Sequence, residues 1–142
     1  MKYAGLFLIS LLLFGNCNTM NAVNSNDTET VVQSKPKGTY LVTSLYGVDV
    51  SKHKLTLIFN PTKKTISGFA GCNSYSCEYN IEENSLTTGF PIGTKIYCEE
   101  TSNIEKDFFK IFSEEKNQKL EGNILYLTNQ NNQKILIAEK TS

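Results

Sequence analysis

Beyond residue 38 the chain alternates apolar and polar positions with period two, the pattern of strands that bury one face of a sheet. The opening stretch Gly38-Thr39-Tyr40-Leu41-Val42-Thr43-Ser44-Leu45-Tyr46 carries two interleaved apolar sets, Tyr40/Val42 and Leu41/Leu45. Gly47-Val48-Asp49 then turns the chain. In Lys54-Leu55-Thr56-Leu57-Ile58-Phe59 the residues Leu55, Leu57 and Phe59 share one face. Asn60-Pro61-Thr62-Lys63 is a turn, because proline pre-sets its φ and cannot continue a ladder. Residues 65–70 return as the hairpin partner. Residues 78–81 and 85–88 make a second hairpin around Glu82-Glu83-Asn84, and Thr94-Lys95-Ile96-Tyr97-Cys98 is expected to be a further strand that closes on a cysteine.

The period changes once after the N-terminal segment. Ile104, Phe108, Ile111 and Phe112 fall at i, i+4, i+7 and i+8, a helical stripe, and Ser102-Asn103-Ile104-Glu105 reads as its capping box. The Phe108/Ile111/Phe112 face is expected to pack into the open side of the sheet. Leu120-Glu121-Gly122-Asn123-Ile124 signals a hairpin, and residues 124–128 pair across 129–132 with 134–138. About eight strands and one helix, inserted before the last three strands, define an α+β domain. Its expected form is a strongly curved antiparallel sheet or small barrel, plugged or flanked by the helix. There is no internal repeat and no second domain.

The first residues carry an address. Lys2 precedes an apolar run over residues 4–14, too short to span a membrane comfortably and of the length of a secretory leader core. Gly15-Asn16-Cys17 follows at once and resembles a bacterial lipobox, in which the cysteine is acylated and becomes the mature N-terminus. Ordinary cleavage nearby and an uncleaved anchor are the alternatives. Residues 1–16 are thus expected to be a lipoprotein signal peptide, 17–37 the lipid anchor and tether, and 38–140 the folded domain. The tether is rich in Asn, Ser, Thr and Lys. It buries too little to order itself and reaches roughly 25 Å. The expected location is the bacterial cell envelope, with the domain outside the cytoplasm, periplasmic or on the surface.

Charge removes one class of partner. Lysine plus arginine and aspartate plus glutamate each number 14 in 142 residues, so the formal net charge is zero. No field of one sign steers nucleic acid to the chain, and a nucleic-acid partner is not expected.

The four cysteines carry most of the candidate chemistry. With Cys17 acylated, Cys72, Cys77 and Cys98 remain, enough for one intramolecular bridge and one leftover thiol. Ile92, Thr94, Ile96 and Cys98 share strand parity, which would turn Cys98 inward with the isoleucines. Ile66, Gly68, Ala70 and Cys72 share parity as well, but so do Tyr75, Cys77 and Tyr79. Loop entropy does not choose either: it gives about 3.5 kcal/mol for Cys72–Cys98, about 3.3 for Cys77–Cys98 and about 2 for Cys72–Cys77. An oxidising envelope favours a disulfide over free thiols. A zinc site from these cysteines with His53 would need the C-x4-C spacing of Cys72 and Cys77, which departs from the shorter spacing usual in structural sites. A redox pair lacks both C-x-x-C and an adjacent helix start. No metal and no cofactor are expected.

Other residues point to structure rather than catalysis. His53 lies between lysines and reads as a solvated surface residue. The carboxylates Glu78, Glu82, Glu83, Glu99, Glu100, Glu114 and Glu115 form neither a calcium loop nor a glycosidase pair. Glu114-Glu115 opposes the dipole at the helix end, and solubility is the sole account the sequence offers. Gly68 and Gly71 mark strand crowding or bulges. Tyr75, Tyr79 and Tyr97 surround the cysteine corner and read as core packing, with an aromatic recognition surface as the alternative.

Gly68-Phe69-Ala70-Gly71-Cys72-Asn73, then Thr94-Lys95-Ile96-Tyr97-Cys98, an acidic-led helix over 105–112 and hairpins over 120–137 follow one another in order. This series resembles the META domain of the HslJ-like heat-shock protein family over residues 38–140. Tyr40 stands where the family often has tryptophan, and Cys77 is additional. The resemblance implies an extracytoplasmic or lipid-anchored protein associated with stress tolerance, with no enzymatic activity and no catalytic residue to carry over. It also implies that Cys72 and Cys98, at the family's two cysteine positions, form the disulfide and leave Cys77 as the free thiol. The expected function is non-catalytic: a membrane-tethered protein binding another protein or a small molecule in envelope stress tolerance or maintenance. Two alternatives stand beside it. One is a secreted protease-inhibitor-like module presenting residues 88–93 with Phe90-Pro91 at the tip; the other is a thiol-dependent enzyme using Cys77.

Overall fold

The computed structural model describes residues 34–141, so the expected signal peptide, the Cys17 anchor and most of the tether lie outside the described residues. The strands are β1 (Gly38–Leu45), β2 (Val48–Asp49), β3 (Thr56–Asn60), β4 (Thr65–Phe69), β5 (Ser74–Glu82), β6 (Ser85–Thr88), β7 (Ile92–Gly93), β8 (Lys116–Glu121), β9 (Ile124–Thr128) and β10 (Lys134–Lys140). One helix, α1 (Ser102–Ser113), precedes β8. Eight strands pair antiparallel in the order β1-β3-β4-β5-β6-β8-β9-β10, and β10 returns to β1. The sheet is therefore a closed barrel, as the α+β reading anticipated. Closure removes the open edges that a curved sheet would leave. The two-residue strands β2 and β7 lie off the ring, paired with β1 and β5.

The two apolar sets at the start of the domain are reconciled by a bulge. The register of β1 against β10 shifts between Val42 and Ser44, so Tyr40 and Val42 point inward before it and Leu45 after it. An extra residue in one strand turns the following side chains to the other face. Along β5, Tyr75, Cys77, Tyr79 and Ile81 are all buried, and the intervening residues face solvent. The core is aromatic at two levels. Phe59 meets Tyr40 and Tyr79 edge-on at 5.9 and 5.4 Å between ring centroids. Tyr75 meets Phe108 and Phe112 at 5.3 and 5.2 Å.

Helix α1 plugs the barrel. Phe108, Ile111 and Phe112 are buried and Ile104 is half-buried, in the phase its spacing predicts. Ile111 and Phe112 close on Leu57, Phe59, Ile66, Leu86, Leu127 and Leu136 from the strands. At the start of the described chain, Pro36 is fully buried and Lys35 donates to the Ile81 carbonyl, so the wall is met two residues before β1. No helix among the described residues is long and apolar enough to cross a membrane.

Two local expectations are corrected. The capping box does not form: α1 has no side-chain N-cap bond, and the Ser102 hydroxyl donates to the Glu99 carbonyl. Glu105 is turned to Asn73 instead, as described below. Residues 94–98 are not a strand, because the ladder of β7 against β5 stops at Gly93. Their parity therefore has no inner face to serve, and Ile92 and Ile96 are exposed rather than inward-facing.

Candidate functional site

The corner Gly71-Cys72-Asn73 joins β4 to β5 and organises everything near it. Gly71 sits at φ +100°, a conformation side chains resist, and a methyl there would press on Leu55. The turn is closed by Ala70 donating to the Asn73 carbonyl at 2.8 Å. Asn73 is buried, and its amide works in three directions. Its Nδ2 donates to Glu105 Oε2 and to the Ile96 carbonyl at 3.0 and 2.9 Å. Its Oδ1 accepts from Thr94 Oγ1 and from the Ile96 N–H at 2.7 and 2.8 Å. Its backbone N–H donates to Glu105 Oε1 at 2.8 Å. One side chain thus replaces a ladder for residues 94–96 and ties the corner to the first turn of α1. There the helix dipole also favours the carboxylate. Sequence reasoning identified the corner but missed Asn73 as its hub; an Asn closing the Gly71-Cys72 turn, with the acidic Glu105 in the first turn of the next helix, is the signal that was available.

Cys72 and Cys98 are joined by a disulfide with their Cα atoms 5.9 Å apart. Closing a loop of this length stabilises the fold by about 3.5 kcal/mol. Cys77 is the free cysteine among the described residues and is buried in the barrel wall. Burial pushes its thiol up to about 11, with Lys116 opposing the shift. At neutral pH it stays protonated, a poor nucleophile. His53 lies half-buried on a short 3-10 turn, Ser51–His53. No three His, Cys, Asp or Glu side chains among the described residues come together as a metal would need.

The disulfide and Asn73 hold a segment whose side chains face water. Phe90, Ile92, Ile96 and Tyr97 are 89, 77, 61 and 80% exposed. Tyr97 thereby parts from Tyr75 and Tyr79, which are core residues. Phe90 is thrown outward by a bulge. Gly89 donates to the Glu78 carbonyl and Ile92 faces Ser76, so Cys77 alone is opposite both Phe90 and Pro91. Proline suits such a position because it has no N–H to leave unpaired. Gly93 follows, and a methyl there would collide with the Ser74 carbonyl. Between this segment and α1 lies an open cleft of about 420 Å³, lined by Phe90, Pro91, Gly93, Lys95, Phe109 and Phe112 among others. Lys95 is its one charged residue. Its walls are mainly apolar, with the hydroxyls of Thr88, Thr94 and Ser113 and one cation among them.

Beside the cleft, Lys116 is buried, 4% exposed, at the start of β8. Its ammonium donates to Thr88 Oγ1 at 3.0 Å and to the Glu114 carbonyl at 2.9 Å, while the Thr88 hydroxyl donates to the Phe112 carbonyl. The lysine therefore serves the carbonyl end of α1. Glu114 gains a role the sequence did not show: its carboxylate accepts from the Tyr46 hydroxyl and pairs with Lys110. Burial lowers the Lys116 ammonium to about 8, against the pull of Cys77 and Glu114.

A search of curated proteins found no match. Among solved structures, the fold is similar to an NMR structure of a protein from Burkholderia xenovorans, with a TM-score of 0.58 and 16% identity over 79% of this chain and 85% of that one. It is also similar to a second NMR structure, with a TM-score of 0.57 and 23% identity over 72% of this chain and 87% of the other. At these identities the likeness is one of fold alone. The sequence profile of the META domain matches residues 30–142, which spans the whole barrel, the Gly-Cys-Asn corner and both bridged cysteines. The chain belongs to the META domain family.

Proposed function

We propose that this META-domain protein is a lipid-anchored, extracytoplasmic binding protein, tethered through Cys17, that serves envelope stress tolerance or maintenance without catalysis of its own. The observation that carries the reading is that Phe90, Ile92, Ile96 and Tyr97 are all exposed along one segment held by the Cys72–Cys98 bridge and Asn73. Large apolar side chains gathered on one exposed segment mark an interaction site. Holding them in place beforehand lowers the entropy cost of binding. The bridge supports an oxidising compartment, in keeping with a leader that ends at Cys17. The buried, protonated Cys77 speaks against a thiol-dependent enzyme.

The address is tested by the intact mass of the chain extracted from membranes. The expected mass is that of a chain beginning at Cys17 with added diacylglycerol. A mature chain beginning elsewhere, with an unmodified thiol at Cys17, would contradict the tether.

A further inference from the structure

We propose that the outer backbone edge of residues 93–97 is a strand-addition site for an extended polypeptide segment, one with alternating apolar residues and a carboxylate that meets Lys95. The inference rests on the binding reading above and names its partner.

Hydrogen bonding along this segment sets the direction of each backbone group. Ile92 faces Ser76, Thr94 donates to the Ser74 carbonyl, and Ile96 exchanges bonds with the Asn73 side chain. The Thr94 N–H and both backbone groups of Ile96 are thus turned toward β5 and the corner, in register with Ile92. In an extended chain the alternate residues, Gly93, Lys95 and Tyr97, direct theirs the opposite way. Gly93, Thr94 and Lys95 all line the cleft, and Phe109 and Phe112 of α1 stand across it. The outward-directed groups therefore border the open, mainly apolar cleft.

Such a cleft recognises one kind of occupant. A strand laid about 4.8 Å from the segment would satisfy the backbone groups of Gly93 and Lys95. Its alternate side chains would then rest on Phe90, Pro91 and Phe109, and a carboxylate would meet the one cation in the lining. Proteins commonly protect an edge with lysine and proline, and Lys95 and Pro91 do blunt this one. Protection does not account for the exposed Phe90, Ile92, Ile96 and Tyr97 around the same edge, which would invite association. A small apolar ligand would use the cleft but not the backbone edge. A second copy of the chain would bring a second Lys95 into the cleft.

The full lipid-bearing chain in nanodiscs would be titrated with three capped hexapeptides. The first alternates valine and serine with one central glutamate. The second is the same peptide N-methylated at alternate residues, and the third carries lysine for glutamate. Binding of the first is expected to protect the Gly93 and Lys95 amides from hydrogen exchange. N-methylation should weaken binding about tenfold or more, because the edge then lacks its partners. The lysine peptide should bind about tenfold more weakly to the wild type and recover on Lys95→Glu. Equal binding by the N-methylated peptide, protection of other amides only, or protection of the same amides by self-association without peptide would each overturn the proposal. Failure here with retained dependence of stress tolerance on Phe90 and Tyr97 would remove this partner class and leave the binding reading standing.

Discussion

Replacing Phe108 with alanine is expected to destabilise the domain by about 3–5 kcal/mol, read as a shift in the denaturant midpoint at unchanged slope. The side chain is fully buried and meets Tyr75 and Phe112 edge-on at 5.3 and 5.5 Å. Its truncation leaves a cavity in the plug, bounded on one side by the closed barrel, so little collapse can fill it. Tyr75 loses a neighbour as well, and its hydroxyl bond to the Thr56 carbonyl loses support. Phe109, half-buried at the cleft, provides the internal comparison, and its alanine variant should cost clearly less. A change within about 0.5 kcal/mol at Phe108 would place that side chain on the surface and contradict the helix phase.

Lys116 is expected to make stability depend on pH in a window set by its own shift. Its ammonium titrates near 8 in the folded chain against an ordinary 10.5. Between these values the unfolded chain holds a proton that the folded chain has shed, so the Lys116 contribution to stability rises with pH across that window. The penalty of burying the charge is complete below about 8 and relieved above it. Other groups oppose this in the wild type. Cys77 retains its proton up to about 11 in the folded chain, which lowers stability as pH rises from 9, and buried Tyr75, also shifted upward, adds to the fall at higher pH. The comparison with Lys116→Met cancels the groups the two chains share and reports the lysine together with its coupling to Cys77, since each shifts the other. Wild-type stability minus that of Lys116→Met should grow by about 2 kcal/mol from pH 8 to 10.5, a magnitude reduced for solvent in the neighbouring open cavity. A difference that stays flat across the window would show that Lys116 keeps its ordinary affinity for protons.

Most of the barrel was legible because its signals are local. Period two set the faces of β3 and β5, Asn60-Pro61 and Gly122-Asn123 set turns, and the spacing of Phe108, Ile111 and Phe112 set the phase of α1. What escaped depends on partners distant in sequence. Glu105 is three residues after Ser102, as a capping box requires, yet its carboxylate is taken by Asn73 across the fold. Residues 94–98 have strand composition, but a side chain rather than a strand holds them, and no periodicity reports that. Lys116 gave no warning, because a lysine beside two glutamates reads as surface. Its burial follows from β8 turning inward directly under the end of α1. The cysteine pairing was readable through the resemblance alone, since parity and loop entropy left Cys77 in contention.

Survival under envelope stress tests most directly whether the exposed segment is the binding surface. A strain lacking the gene would be complemented with the wild-type chain and with a Phe90→Ser/Tyr97→Ser variant. Both substituted side chains are exposed, so the variant should fold and reach the membrane at wild-type levels, checked by its mature mass and denaturant midpoint. The wild type is expected to restore tolerance and the variant is not. Full rescue by the variant would contradict that role for the segment.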